Sequence, residues 1–143
     1  MWENLIKVAG LHNKLWVIAG DFNEPLLGED KFGGRLINIL RSLLFKDCLD
    51  KCNMVDLGFS RPRYTWTNRK DLNNLIQERI DRFFTNLSWC LLYLEARVTH
   101  LTRCHFDHFS VLMKAVPRRV ILISIDLSSS KASGYLILLF LGL

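Results

Sequence analysis

The sequence predicts an α/β fold with a mixed β-sheet and flanking helices, and three observations point there. A short apolar run at residues 15–19, "LWVIA", reads as a strand buried on both faces and stops abruptly at Gly20-Asp21. Between residues 37 and 52 apolar side chains recur at helical spacing. Further on, β-favouring stretches are separated by short polar loops that read as hairpins. Strands alternating with helices, together with hairpins, give a mixed sheet rather than an all-parallel one. A length of 143 residues, half of them hydrophobic, suits one domain or part of one with a sizeable core.

The elements follow in order. Trp2, Leu5, Ile6 and Ala9 sit at helical spacing, so the chain is expected to begin inside a helix. After the strand at 15–19, residues 21–34 form a loop punctuated by Pro25, Gly28, Gly33 and Gly34. The next helix turns Ile37, Leu40, Leu44 and Cys48 to one side, with Ile39, Leu43 and Leu49 beside them. A short strand is expected at 54–57. Residues 64–68, "YTWTN", are β-favouring, and the polar loop 68–74 connects them to a partner strand at 75–84. A short helix at 86–94 is capped by Asn86 or Thr85. Two more strands, 96–101 and 109–116, flank the segment 102–108.

After Pro117 the character changes. Arg118-Arg119, an apolar piece at 120–125, a Ser-rich stretch and a second apolar piece at 135–143 read as a poorly ordered hydrophobic tail over 117–143. Neither apolar piece approaches the roughly 20 residues that cross a bilayer.

Net charge is +5, an excess that suits an anionic partner but is also common in proteins with none. Six basic residues, Arg61, Arg63, Arg69, Lys70, Arg79 and Arg82, fall in one region against Asp71, Glu78 and Asp81. Such an excess can steer a phosphate backbone or serve solubility alone. Four scattered cysteines are too few for a disulfide scaffold and read as reduced thiols in an intracellular setting. Cys48 and Cys52 lie four apart, as do Cys104 and His108, but no CxxC pair supports a zinc site.

Four short motifs carry chemistry. In "GDFN", residues two apart on an extended segment point the same way, so Asp21 and Asn23 project together from the strand's carboxyl end, unless they form a turn that bonds its own backbone. Glu24 points to the other side. In "ERIDR", Arg79 and Asp81 share a face if Ile80 faces the core, the alternative being a solvated edge strand. Asp107-His108, between Phe106 and Phe109 at a strand's start, pairs a carboxylate with an imidazole as a metal ligand beside a phosphate donor, the alternative being a polar turn with a stray histidine. "YTW" is the fourth.

In this order the motifs resemble the carboxyl-terminal half of the endonuclease/exonuclease/phosphatase family, most closely the endonuclease domains of LINE-type (non-LTR) retrotransposons of plant genomes. The resemblance covers about residues 5–113. It implies a partial four-layer α/β sandwich, two sheets face to face between helical layers, over residues 1–116. It also implies a Mg²⁺- or Mn²⁺-dependent DNA endonuclease, intracellular and compatible with the nucleus.

By this likeness Asp21 activates the attacking water and Asn23 holds it or a phosphate oxygen. Asp107 binds the metal. His108 donates to the phosphoryl oxygen, and Asp81 orients its ring. Tyr64, Thr65, Trp66 and Arg79 support the site. The family's amino-terminal half, with its metal-binding glutamate, has no counterpart here, and "SDH" is replaced by Phe106-Asp107-His108. The expectation is therefore a truncated relic. One face of its sheet would lie uncovered, open to self-association or a protein partner. The alternative to a nuclease is a catalytically inactive remnant that at most binds nucleic acid or a protein.

Overall fold

The computed structural model describes residues 2–101, 107–115, 121–125 and 136–141. Helix α1 (Trp2–Gly10) is followed by strand β1 (Leu15–Asp21), a 3-10 turn (Gly28–Asp30) and the two-residue strand β2 (Lys31–Phe32). Helix α2 (Ile39–Lys51) leads to β3 (Met54–Asp56), β4 (Trp66–Thr67), β5 (Gln77–Glu78) and β6 (Asp81–Asn86). Helix α3 (Leu87–Leu92), β7 (Arg97–Leu101), β8 (Ser110–Ala115), β9 (Ile121–Ile125) and β10 (Leu136–Leu141) complete the described chain. No helix among the described residues is long and apolar enough to cross a membrane.

Three sheets form, in the orders β10-β1-β6-β3, β2-β5-β4 and β7-β8-β9. The general α/β class holds, but the mixed sheet does not. Every ladder between described strands is antiparallel, and the one parallel pairing is an isolated bridge between Ser60 and Thr99. The reason lies in β6. The segment β1–α2–β3 is a crossover whose strands run the same way, but β6 inserts between them and pairs antiparallel to both.

Alternation along β1 decides the packing. Leu15, Val17 and Ala19 join Phe83, Trp89, Val98, Val111, Met113 and Ala115 in one cluster, which seats the sheet β7-β8-β9 against the four-stranded sheet. Trp16 and Ile18 join Leu5, Phe22, Phe45, Cys48, Leu49 and Phe84 in a second cluster under α1 and α2. The four-stranded sheet is thus covered on both faces. This corrects the expectation of an uncovered face, because the second sheet is built from residues of this same chain.

Three further expectations need correction. Residues 75–84 are not one strand. The chain breaks at Arg79-Ile80, so β5 and β6 serve different sheets. Helix α2 is rotated from its expected orientation. It buries Ser42, Phe45, Cys48 and Leu49, leaving Ile39, Leu40, Leu43 and Leu44 exposed, because Phe45 stacks on Trp2 and Phe22. Finally, two stretches of the tail are strands: β9 extends the second sheet beside β8, and β10 pairs with β1 over six residues.

Candidate active site

Register brings the site together. Asp21 ends β1, Asp81 begins β6, and the two are direct cross-strand partners. Asp21 continues the face of Leu15, Val17 and Ala19, while Asp81 continues that of Phe83, so both carboxylates emerge where the layer between the two sheets ends. Gly20, at φ +151°, supplies a backbone conformation that an L side chain rarely adopts just before Asp21. Like charges directly opposite each other weaken a sheet, so this pair is held against its own repulsion.

His108 comes from the other sheet, two residues before β8. Its Nδ1 lies 3.1 Å from Asp81 Oδ2, and because a carboxylate only accepts, Nδ1–H donates. Ligand atoms of Asp21, Asp81 and His108 all lie within 4.8 Å of one another, a spacing that can hold a metal ion. Asp81 is wholly buried, and its Oδ1 has no hydrogen-bond partner among the described residues.

Electrostatics follow from this crowding. Burial raises the Asp21 carboxyl above its ordinary value and the Asp81 charge raises it further, against the pull of the Asn23 N–H and of His108. Burial also raises Asp81, with His108 and the Thr65 hydroxyl opposing. For His108, burial disfavours the imidazolium, but the Asp81 hydrogen bond and the charges of Asp81, Asp21 and Asp107 outweigh it and raise its pKa.

The "YTW" segment is the clamp. Thr67 N–H donates to the Asp107 carbonyl at 2.9 Å and Phe109 N–H to the Thr65 carbonyl at 2.7 Å, so residues 65–67 grip the backbone on either side of His108. Trp66 and His108 form the bridge between. The buried Thr65 hydroxyl accepts from both Ile80 N–H and Asp81 N–H at 3.1 Å, fixing the kink that aims Asp81. Tyr64 is half-buried beside them.

The other expected residues divide. Asn23 is exposed, with φ +52°, so the segment is not extended there and alternation does not govern its direction. Its N–H donates to Asp21 Oδ1 at 2.8 Å, so the self-bonded turn and the convergence on His108 coexist. Asp107 is exposed and lies outside the three-residue cluster.

Arg79 is buried, its guanidinium 2.9 Å from Asp56 and 4.5 Å from the centre of the Phe59 ring. Arg82 is likewise buried, bonding Asp56 and Asp30, each at 2.6 Å. Neither arginine is open to a phosphate backbone, which reduces the expected basic surface to Arg61, Arg63, Arg69 and Lys70, all exposed. Nor is "ERIDR" a solvated edge: Arg79, Ile80, Asp81 and Arg82 are all buried. Glu24 is buried and paired with Arg41.

Sequence reasoning missed Asp30 and Asp56, the anions of the arginine network, and nothing in their local sequence links them to Arg82. It also missed Glu78 as a charge acting on Asp21. Glu78 pairs with Lys31, and its place in "ERIDR" was the available signal. Cys104, His105 and Phe106 lie outside the described residues, as do 116–120 and 126–135.

No family model, curated protein or solved structure matches the chain. What supports a function is the geometry above and the four ordered motifs.

Proposed function

We propose that the Asp21–Asp81–His108 site belongs to a phosphodiester hydrolase of the endonuclease/exonuclease/phosphatase type, acting on DNA as an endonuclease. The supporting observation is that Asp21, Asp81 and His108, distant in sequence, meet within 4.8 Å. In this reading the Asp21 carboxylate, its basicity raised by burial and by Asp81, accepts a proton from water as the water oxygen bonds to phosphorus. Imidazolium His108, oriented through Nδ1 by Asp81, donates its other N–H to a phosphoryl oxygen, where charge accumulates. The leaving oxygen departs with the electron pair of its bond to phosphorus and takes up a proton from solvent water. Asn23 holds the water or a phosphate oxygen. Both groups are in their working states between the Asp21 and His108 pKa values, so the pH–rate profile is bell-shaped. The four-layer sandwich is part of the same proposal, supported by two facing sheets under one helical layer.

The family's Mg²⁺ or Mn²⁺ does not fit Asp107 alone. Mg²⁺ demands several oxygens in near-octahedral array, and Asp107 is a single exposed carboxylate. No step is derived through a metal. That same misfit favours a second reading, a DNA- or protein-binding module without catalysis.

Nicking of supercoiled plasmid, in buffer with Mg²⁺ or Mn²⁺, tests the first reading. The wild type should nick and Asp21→Ala should lose about 10²-fold or more. Equal nicking by both, or by neither, overturns hydrolysis. Duplex binding by fluorescence anisotropy, retained in Asp21→Ala, then supports the module.

A further inference from the structure

The misfit at Asp107 leaves the question of what a dication would choose in this molecule. We propose that Asp21, Asp81 and His108 themselves form a binding site for one borderline transition-metal ion of the Zn²⁺ class, distinct from an oxygen-only Mg²⁺ site.

Two independent observations carry it. The first is donor geometry: three ligand atoms within 4.8 Å of one another, two from carboxylates and one from an imidazole. Three protein ligands of mixed nitrogen and oxygen type, with a fourth position left to water, are what open zinc sites use. Imidazole favours Zn²⁺ and its neighbours, whereas Mg²⁺ prefers hard oxygens throughout. The second is Asp81 Oδ1, wholly buried and without a hydrogen-bond partner among the described residues. A buried carboxylate oxygen left unpaired is costly, and a cation satisfies it.

Charge agrees with geometry. Two carboxylates on facing positions of adjacent strands repel, and one dication cancels both. Ligands at about 2.1 Å around a tetrahedral ion lie about 3.4 Å apart. His108 Nδ1 and Asp81 Oδ2 already stand 3.1 Å apart, so an ion bound there takes the place of the Nδ1 proton. The nearby guanidinium of Arg82 does not compete, since Asp30 and Asp56 hold it.

Binding does not depend on the hydrolytic reading. One consequence does: an ion on these groups occupies both the base and the proton donor, so Zn²⁺ blocks nicking.

The test is calorimetric titration of the whole chain with ZnCl₂ and separately with MgCl₂, alongside visible absorption of Co²⁺ as a reporter of four- or five-coordinate geometry. The expected result is one Zn²⁺ per chain, Mg²⁺ binding at least 100-fold weaker, and an intense Co²⁺ band. Asp81→Asn, His108→Gln and Asp21→Asn should each weaken Zn²⁺ at least tenfold. Asp107→Asn and Cys104→Ser should bind like wild type, with far-UV circular dichroism confirming that each variant folds. Undiminished binding in Asp21→Asn and His108→Gln, or a loss confined to Cys104→Ser, overturns the site. Zinc binding by a protein that nicks nothing leaves this inference standing and removes only the hydrolytic reading.

Discussion

Two buried charge clusters grow from one five-residue stretch, Glu78-Arg79-Ile80-Asp81-Arg82, and they are built on opposite principles. On one side Arg79 and Arg82 meet Asp30 and Asp56, two cations against two anions, with Arg82 bonded to both carboxylates and to the Arg79 carbonyl. On the other, Asp81 meets Asp21 and His108, two carboxylates against one imidazole, with a buried oxygen left over. The alternation of β6 separates Asp81 from Arg82 and so keeps the clusters apart. The balanced cluster is consumed by the fold. Completeness does not separate the two, since Arg79 Nε and Arg82 Nε are also buried without a partner among the described residues. Composition does, because only the second cluster joins two carboxylates to an imidazole, the donor set of a site.

The largest way to break this contrast is Arg82→Met. Removing one partner of a buried, hydrogen-bonded ion network leaves Asp30 and Asp56 underpaired, so unfolding free energy should fall by about 3–5 kcal/mol. Urea denaturation measures it, and a loss under 1 kcal/mol would make the network incidental.

Next is His100, which abuts that network. Its Nδ1–H donates to the Pro62 carbonyl at 2.6 Å and its ring stacks on Phe59. Burial first, then the Arg79 and Arg82 charges, lower its pKa from 6.5 to about 4. A base whose pKa is lower in the folded state stabilises the fold above its unfolded value and loses that contribution as pH falls. Stability should therefore drop by roughly 3 kcal/mol between pH 6.5 and 4. The slope should flatten in His100→Leu; an unchanged slope assigns the acid sensitivity elsewhere.

The smallest effect has the opposite sign. Asp21 has its carboxyl pKa raised, so its charge costs stability above the ordinary carboxylate range. Asp21→Asn keeps an acceptor for the Asn23 N–H and removes that cost, so thermal unfolding at pH 7 should show a gain of about 1 kcal/mol. A loss would place Asp21 with the struts.

What the sequence made legible follows the same division. "LWVIA" announced a doubly covered strand because both its faces are apolar, and it is β1. Asp21, Asp81 and His108 were legible as motifs, although no local pattern places residues 60 apart on facing strands; register does that. The Arg79 kink was hidden because Ile76, Glu78, Ile80 and Arg82 alternate as a continuous strand would, and only the Thr65 hydroxyl, from another segment, turns the chain. The face of α2 was misjudged because leucines lie all round it, and packing against Trp2 and Phe22 chose Phe45. The tail reads as hydrophobic bulk without a period-two signal, yet it pairs with β1 and β8, whose open edges supply the order.

The most direct measurement is a pH titration of the His108 ring by NMR in wild type and in Asp81→Asn. With Nδ1–H held by a buried carboxylate, His108 should titrate above 6.5 in the wild type and at lower pH in the variant, where burial is opposed only by the Asp21 and Asp107 charges. A His108 that titrates below 6.5 in the wild type, or at the same pH in both proteins, would contradict the convergence of Asp81 and His108.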